Sequence, residues 1–156
     1  MLTTKLKNIF NVSKKKLLLL ITIGNTFRTD DGVGIHVARH IEKLPANVAI
    51  LNAEDRPENI ISEAIRLKPV KTVIIDAADF KGTPGEIKVI KKNNVPSTSL
   101  STHSISPLVL AAIIEEETGS DVLFLGIQPQ SIQMGEGLTP PVKKAAQKII
   151  SCIHKL

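Results

Sequence analysis

A chain of 156 residues with 42% apolar content can build one domain with a proper core and is too short for two ordinary ones. Its formal charge of +5 belongs to one tail: Lys5, Lys7, Lys14, Lys15 and Lys16 stand in a stretch without acids, and the bases and acids beyond them balance. With 3% aromatic residues the chain lacks both the basic face and the stacking platform of a nucleic-acid binder, and a single cysteine, Cys152, excludes an internal disulfide or a paired-cysteine zinc site and fits a reducing, cytoplasmic compartment.

Leu2, Leu6, Ile9 and Phe10 recur at helical spacing, so residues 2–12 predict a short amphipathic helix, and residues 1–16 read as a basic amphipathic extension ahead of a domain over 17–156. The basic start and the apolar run 17–23 could be misread as a leader, but the run ends in Gly24-Asn25 and meets the charged Arg28-Thr29-Asp30-Asp31 where a small-residue cleavage motif should stand. A buried strand explains it better. No other stretch approaches the roughly twenty apolar residues of a membrane span, so stable membrane insertion is not expected.

Strand and helix patterns then alternate: a helix over 32–43, a strand at 47–52, a helix at 57–67, strands at 71–76, 86–90 and 121–127, and helices over 107–117 and 140–154. Ser106-Pro107 and Thr139-Pro140 each pair a cap residue with proline at the first turn, and Asp55-Arg56-Pro57-Glu58 resembles a capping box. The fold class is α/β: a single domain with a mainly parallel twisted sheet of about five strands and helices on both faces. The polar stretches 91–104 and 128–139 lack periodicity and are candidate site loops.

Ligands of an open parallel sheet sit beyond the carboxyl ends of its strands. After the first strand comes Gly24-Asn25-Thr26-Phe27-Arg28-Thr29-Asp30-Asp31-Gly32-Val33-Gly34. Two adjacent carboxylates at a helix start repel an anion, and the spacing matches neither the phosphate-binding loop nor the dinucleotide fingerprint, so a cation is the better guest. Asp30 is expected to cap the helix, a job that needs one carboxylate and leaves Asp31 over.

Asp76 ends the apolar strand Thr72-Val73-Ile74-Ile75, where a carboxylate cannot stay buried unpaired. Asp79, in the following loop, is expected to face water. His103, in Ser101-Thr102-His103-Ser104, precedes a helix and can point at the same edge. His36 and His40 on the first helix and the terminal His154 are weaker candidates, and Cys152 in the last helix reads as packing. Asp31, Asp76 and His103 together make an oxygen, oxygen, nitrogen donor set that suits a nickel- or zinc-like divalent ion.

These motifs resemble one family, the hydrogenase maturation proteases, and within it the HycI type. The pieces that carry the resemblance are Ile23-Gly24-Asn25 with Asp30-Asp31-Gly32-Val33-Gly34, Pro57-Glu58-Asn59, Val73-Ile74-Ile75-Asp76-Ala77, Pro84-Gly85-Glu86-Ile87, Ser101-Thr102-His103 and Phe124-Leu125-Gly126-Ile127-Gln128-Pro129. The resemblance implies a cytoplasmic endopeptidase that removes the C-terminal extension of the precursor of a nickel–iron hydrogenase large subunit. It also implies that Asp31, Asp76 and His103 contact nickel carried by that substrate, with no permanently bound metal. A monomer is expected. The extension before residue 17 and the loop at 130–138 match the family pattern least.

Two other readings use the same residues. A response-regulator receiver would also carry acids after strand one and an aspartate ending strand three, but it needs a lysine where this chain has Gln128-Pro129, and it gives His103 no role. A nickel-binding chaperone would share the ligands and cut nothing.

Overall fold

The computed structural model describes residues 1–94 and 105–156. Helix α1 (Leu2–Phe10) precedes β1 (Leu18–Ile23), α2 (Val33–Arg39), β2 (Val48–Glu54), α3 (Ile61–Leu67), β3 (Lys71–Ala77), β4 (Ile87–Lys91), α4 (Pro107–Thr118), β5 (Asp121–Ile127) and α5 (Pro140–Ile153). Five strands form one sheet in the order β2-β1-β3-β5-β4, parallel except for the antiparallel edge strand β4.

All six residues of β1 are buried, as a strand covered on both faces requires. Alternation sorts the side chains into two cores. Leu18, Leu20, Val73, Ile75, Leu125 and Ile127 face α1, α2 and α5, whereas Leu19, Ile21, Ile74 and Phe124 face α3 and α4. Leu6, Ile9 and Phe10 of α1 lie in the first core with Ile149, Cys152 and Ile153 of α5, so α1 is part of the packed body and Cys152 is a core residue.

Three local expectations are corrected. The helix predicted to reach residue 43 stops at Arg39. Its end is closed by His40, whose Nδ1 takes the His36 carbonyl (2.7 Å) while its backbone N–H turns to the Val37 carbonyl. The imidazole thereby occupies a carbonyl that the next turn would have used. The segment at 55–58 forms no capping box: Arg56 is the N-cap of a 3₁₀ turn Pro57–Ile60 and no side chain caps it. Nor does Asp30 cap α2, whose N-cap is Gly32, without a side-chain cap hydrogen bond. Ser106 behaves as expected, accepting from the Val109 N–H at 3.2 Å.

Candidate active site

The strand order reverses between β1 and β3: the chain leaves β1 toward β2 on one side, and continues from β3 toward β4 and β5 on the other. A crevice opens at the carboxyl edge of such a switch point. Asp76 sits there on the central strand, opposite Gly126 of β5, on the side of the sheet that faces α3 and α4. It is 9% exposed, and its Oδ1 accepts from the Ala77 N–H at 2.8 Å.

Asp31 reaches the same edge from β1. It lies in the 3₁₀ turn Thr29–Gly32, which contacts β3, and it is 1% exposed. Glycine sets how closely this turn approaches. A Cβ on Gly34 would stand 2.3 Å from the Ile23 carbonyl oxygen and 2.8 Å from that of Ile75, so α2 starts hard against the ends of β1 and β3. A Cβ on Gly24 would stand 2.2 Å from the Asp31 carbonyl oxygen, which accepts the Asn25 N–H at 3.1 Å. Only a chain without side chains at both positions folds this turn onto the strand ends.

Asp30 is the clamp of the site. Wholly buried, its Oδ1 accepts from the Thr139 N–H (2.8 Å) and its Oδ2 from the N–H groups of Gln130 (2.8 Å) and Ser131 (3.0 Å). The Thr139 hydroxyl lies within 3.0 Å of both oxygens. Backbone bonds add to this tie, from Asp30 N–H to Ser131 (3.0 Å) and from Thr29 N–H to Gly135 (2.9 Å). The 128–139 segment is therefore fixed to the acidic turn, and Thr139, at the N-cap of α5, spends its hydroxyl on Asp30 instead of the helix.

A second clamp went unassigned by sequence reasoning. Gln128, 7% exposed just beyond β5, accepts through Oε1 from the Phe80 and Gly82 N–H groups, both at 3.0 Å, and donates through Nε2 to Asp79 at 3.1 Å. It holds the loop that follows Asp76. Its signal was a polar residue ending a buried apolar strand, visible in the Gly126-Ile127-Gln128-Pro129 motif but without a stated role. Asp79 is not simply a solvent-facing residue: hydrogen bonds from the Lys81 side chain, the Lys81 N–H and Gln128 hold its carboxyl down at about 2.

Of the three residues expected to hold a metal, Asp31 and Asp76 meet at one edge, and His103 lies outside the described residues. The start of α4, at Ser106 and Pro107, reaches that edge, since α4 touches the 3₁₀ turn that follows β2 and runs back to the amino end of β5. Among the described residues no three His, Cys, Asp or Glu side chains gather into a metal-holding group. His36 on α2 and His40 just beyond it stack with ring centroids 4.1 Å apart, and the His40 ring serves the helix end. Burial, His40 and Lys143 lower the pKa of His36, in that order. The terminal His154 accepts the Glu42 N–H through Nε2 at 3.3 Å.

Known proteins share this fold. Residues 35–156 match the HycI family of hydrogenase maturation proteases. The hydrogenase 3 maturation protease of Escherichia coli K12 is 31% identical over 133 residues, which cover 84% of this chain and 85% of that one. The crystal structure of the NiFe hydrogenase maturation protease HycI from Thermococcus kodakarensis superposes with a TM-score of 0.83 at 30% identity over 97% of both chains. The solution structure of the endopeptidase HycI from Escherichia coli does so with a TM-score of 0.76 at 28% identity, covering 89% of this chain and 90% of that one. With the α/β fold, the acidic turn and the strand-end aspartate in place, the chain belongs to the hydrogenase maturation protease family, on the HycI branch.

Proposed function

We propose that this protein is a cytoplasmic endopeptidase that removes the C-terminal extension from the precursor of a nickel–iron hydrogenase large subunit after nickel insertion. Asp31, Asp76 and His103 engage the nickel that the precursor carries. The observation that carries the reading is the convergence of two buried carboxylates, from the loop after β1 and the end of β3, at the switch point of the sheet. Two oxygens and an imidazole suit a divalent first-row ion and leave positions for ligands that the substrate keeps. The family to which the chain belongs supplies the reaction type.

In this reading the three side chains dock the precursor and thereby hold its scissile peptide in one orientation, which alone lowers a barrier by several kcal/mol. One carboxylate takes a proton from the attacking water as the water oxygen bonds to the peptide carbonyl carbon. The C–N bond then breaks, and the same group returns the proton to the leaving amine. General-base assistance of this kind contributes about 10²- to 10⁴-fold. If the substrate's nickel polarises the water instead, Asp31 and Asp76 act only as ligands. Both routes need Asp76. Asp76→Asn should reduce processing of a nickel-loaded precursor at least about 100-fold, read as loss of the shortened product by mass spectrometry; processing at the wild-type rate would exclude both routes.

A further inference from the structure

We propose that the paired loops carrying Phe27 and Met134 are the surface on which the precursor docks, with these two side chains as its apolar anchors. The inference rests on the proposed function and names the part of the molecule that recognises the substrate's folded body.

Phe27 is 64% exposed and Met134 is 89% exposed. Single exposed apolar residues are ordinary, but these two sit side by side on joined backbone. The Gly135 N–H donates to the Phe27 carbonyl at 2.9 Å, the Thr29 N–H donates to the Gly135 carbonyl at 2.9 Å, and Arg28 and Gly135 form a parallel bridge. The Thr29 hydroxyl adds a bond to the Gln133 carbonyl at 2.6 Å.

The Asp30 clamp lies directly behind this pair. Two large apolar side chains are thus presented on a pre-organised platform, the condition under which ordering costs least on binding. Aromatic side chains and methionine are also the types enriched in interface cores.

Continuity with the candidate active site decides the occupant. Phe27 and Asp31 share the loop that follows β1, so the rim that Phe27 and Met134 form adjoins the carboxyl edge at which the precursor would be cut. A cavity of about 290 Å³ adjoins these two loops along α2, lined by Thr26, Gly32, His36 and Leu138 among others, with room for a side chain of the bound partner. The partner is therefore the precursor protein, offering apolar side chains beside its scissile segment.

The test compares steady-state cleavage of nickel-loaded precursor by the wild type, Phe27→Ser, Met134→Ser, the double variant and Val70→Ser. Val70 is 39% exposed and precedes β3 at the opposite edge of the sheet. The double variant should raise KM about ten-fold or more, the loss expected when interface anchors are removed. Its kcat should stay within about two-fold and its melting temperature should not move, while Val70→Ser should match the wild type. Calorimetric binding of the same precursor reads the contrast independently of cleavage.

A wild-type KM and wild-type affinity in the double variant would overturn the inference while leaving the proposed function standing. A wild type that binds the precursor through Phe27 and Met134 but never cuts it would uphold the inference and sink the proposed function. A wild-type dimer by sedimentation that the double variant abolishes would assign the surface to a second copy of this chain and overturn the inference.

Discussion

Asp30 and Asp31 are neighbours in sequence with opposite tasks. Asp31 stands at the switch point, whereas every hydrogen bond recorded for the Asp30 carboxylate goes to the 130–139 segment. Replacing Asp30 by Ala takes away the charged acceptor that the N–H groups of Gln130, Ser131 and Thr139 share, and unfolding should show a loss of about 3 kcal/mol. Asn should also fail, because its amide nitrogen meets donors at either oxygen position. Wild-type stability in Asp30→Asn would show that these bonds carry no weight. The adjacency of the two acids was readable in the sequence, and so was the surplus of one over the needs of a cap. That Asp30, the expected cap, would instead bind a segment about a hundred residues away was not, since no local pattern encodes such a contact.

His36 gives a prediction in pH. Its folded pKa lies below the ordinary 6.5 because of burial, His40 and Lys143. As the pH falls through that value the unfolded chain takes up the proton first, so stability is lost on acidification and the loss continues to the folded pKa. His36→Gln should therefore flatten the fall in melting temperature between about pH 7 and pH 5 relative to the wild type. Parallel curves for the two proteins would remove His36 from the account.

At the scale of elements, periodicity located each α-helix and each strand of the described residues, because buried strands and amphipathic helices write their exposure directly into residue order. It failed at ends, where a single side chain decides. His40 closes α2 by capturing the His36 carbonyl, and Thr139 gives its hydroxyl to Asp30. Helix α1 was read as packing, and it does pack: Leu6, Ile9 and Phe10 are buried against the α5 side of the sheet. Deleting residues 2–12 should lower the melting temperature while the remaining folded protein keeps its peptidase chemistry; unchanged melting with lost activity would give the segment a functional role instead. The start of α2 is equally specific. Gly34→Ala forces a methyl against the Ile23 and Ile75 carbonyls and should cost about 1–3 kcal/mol, as overpacking does, with the added consequence that Asp31 shifts and cleavage falls. An alanine variant with wild-type melting and rate would show that the turn tolerates looser seating.

At the scale of the molecule, the topology rather than any one residue makes the site. Because β1 and β3 are neighbours whose continuations diverge, the acidic turn and the strand-end aspartate meet without being near in sequence. The motifs in order therefore implied the family, while the clamps that hold the motifs emerged only from the folded chain. The most direct test of the account is mass spectrometry of the large-subunit precursor after incubation with this protein, run in parallel on nickel-loaded and nickel-free precursor. A shortened product is expected from the nickel-loaded form alone. Equal cleavage of both forms would contradict a site that reads the substrate's metal, and cleavage of neither would contradict a peptidase.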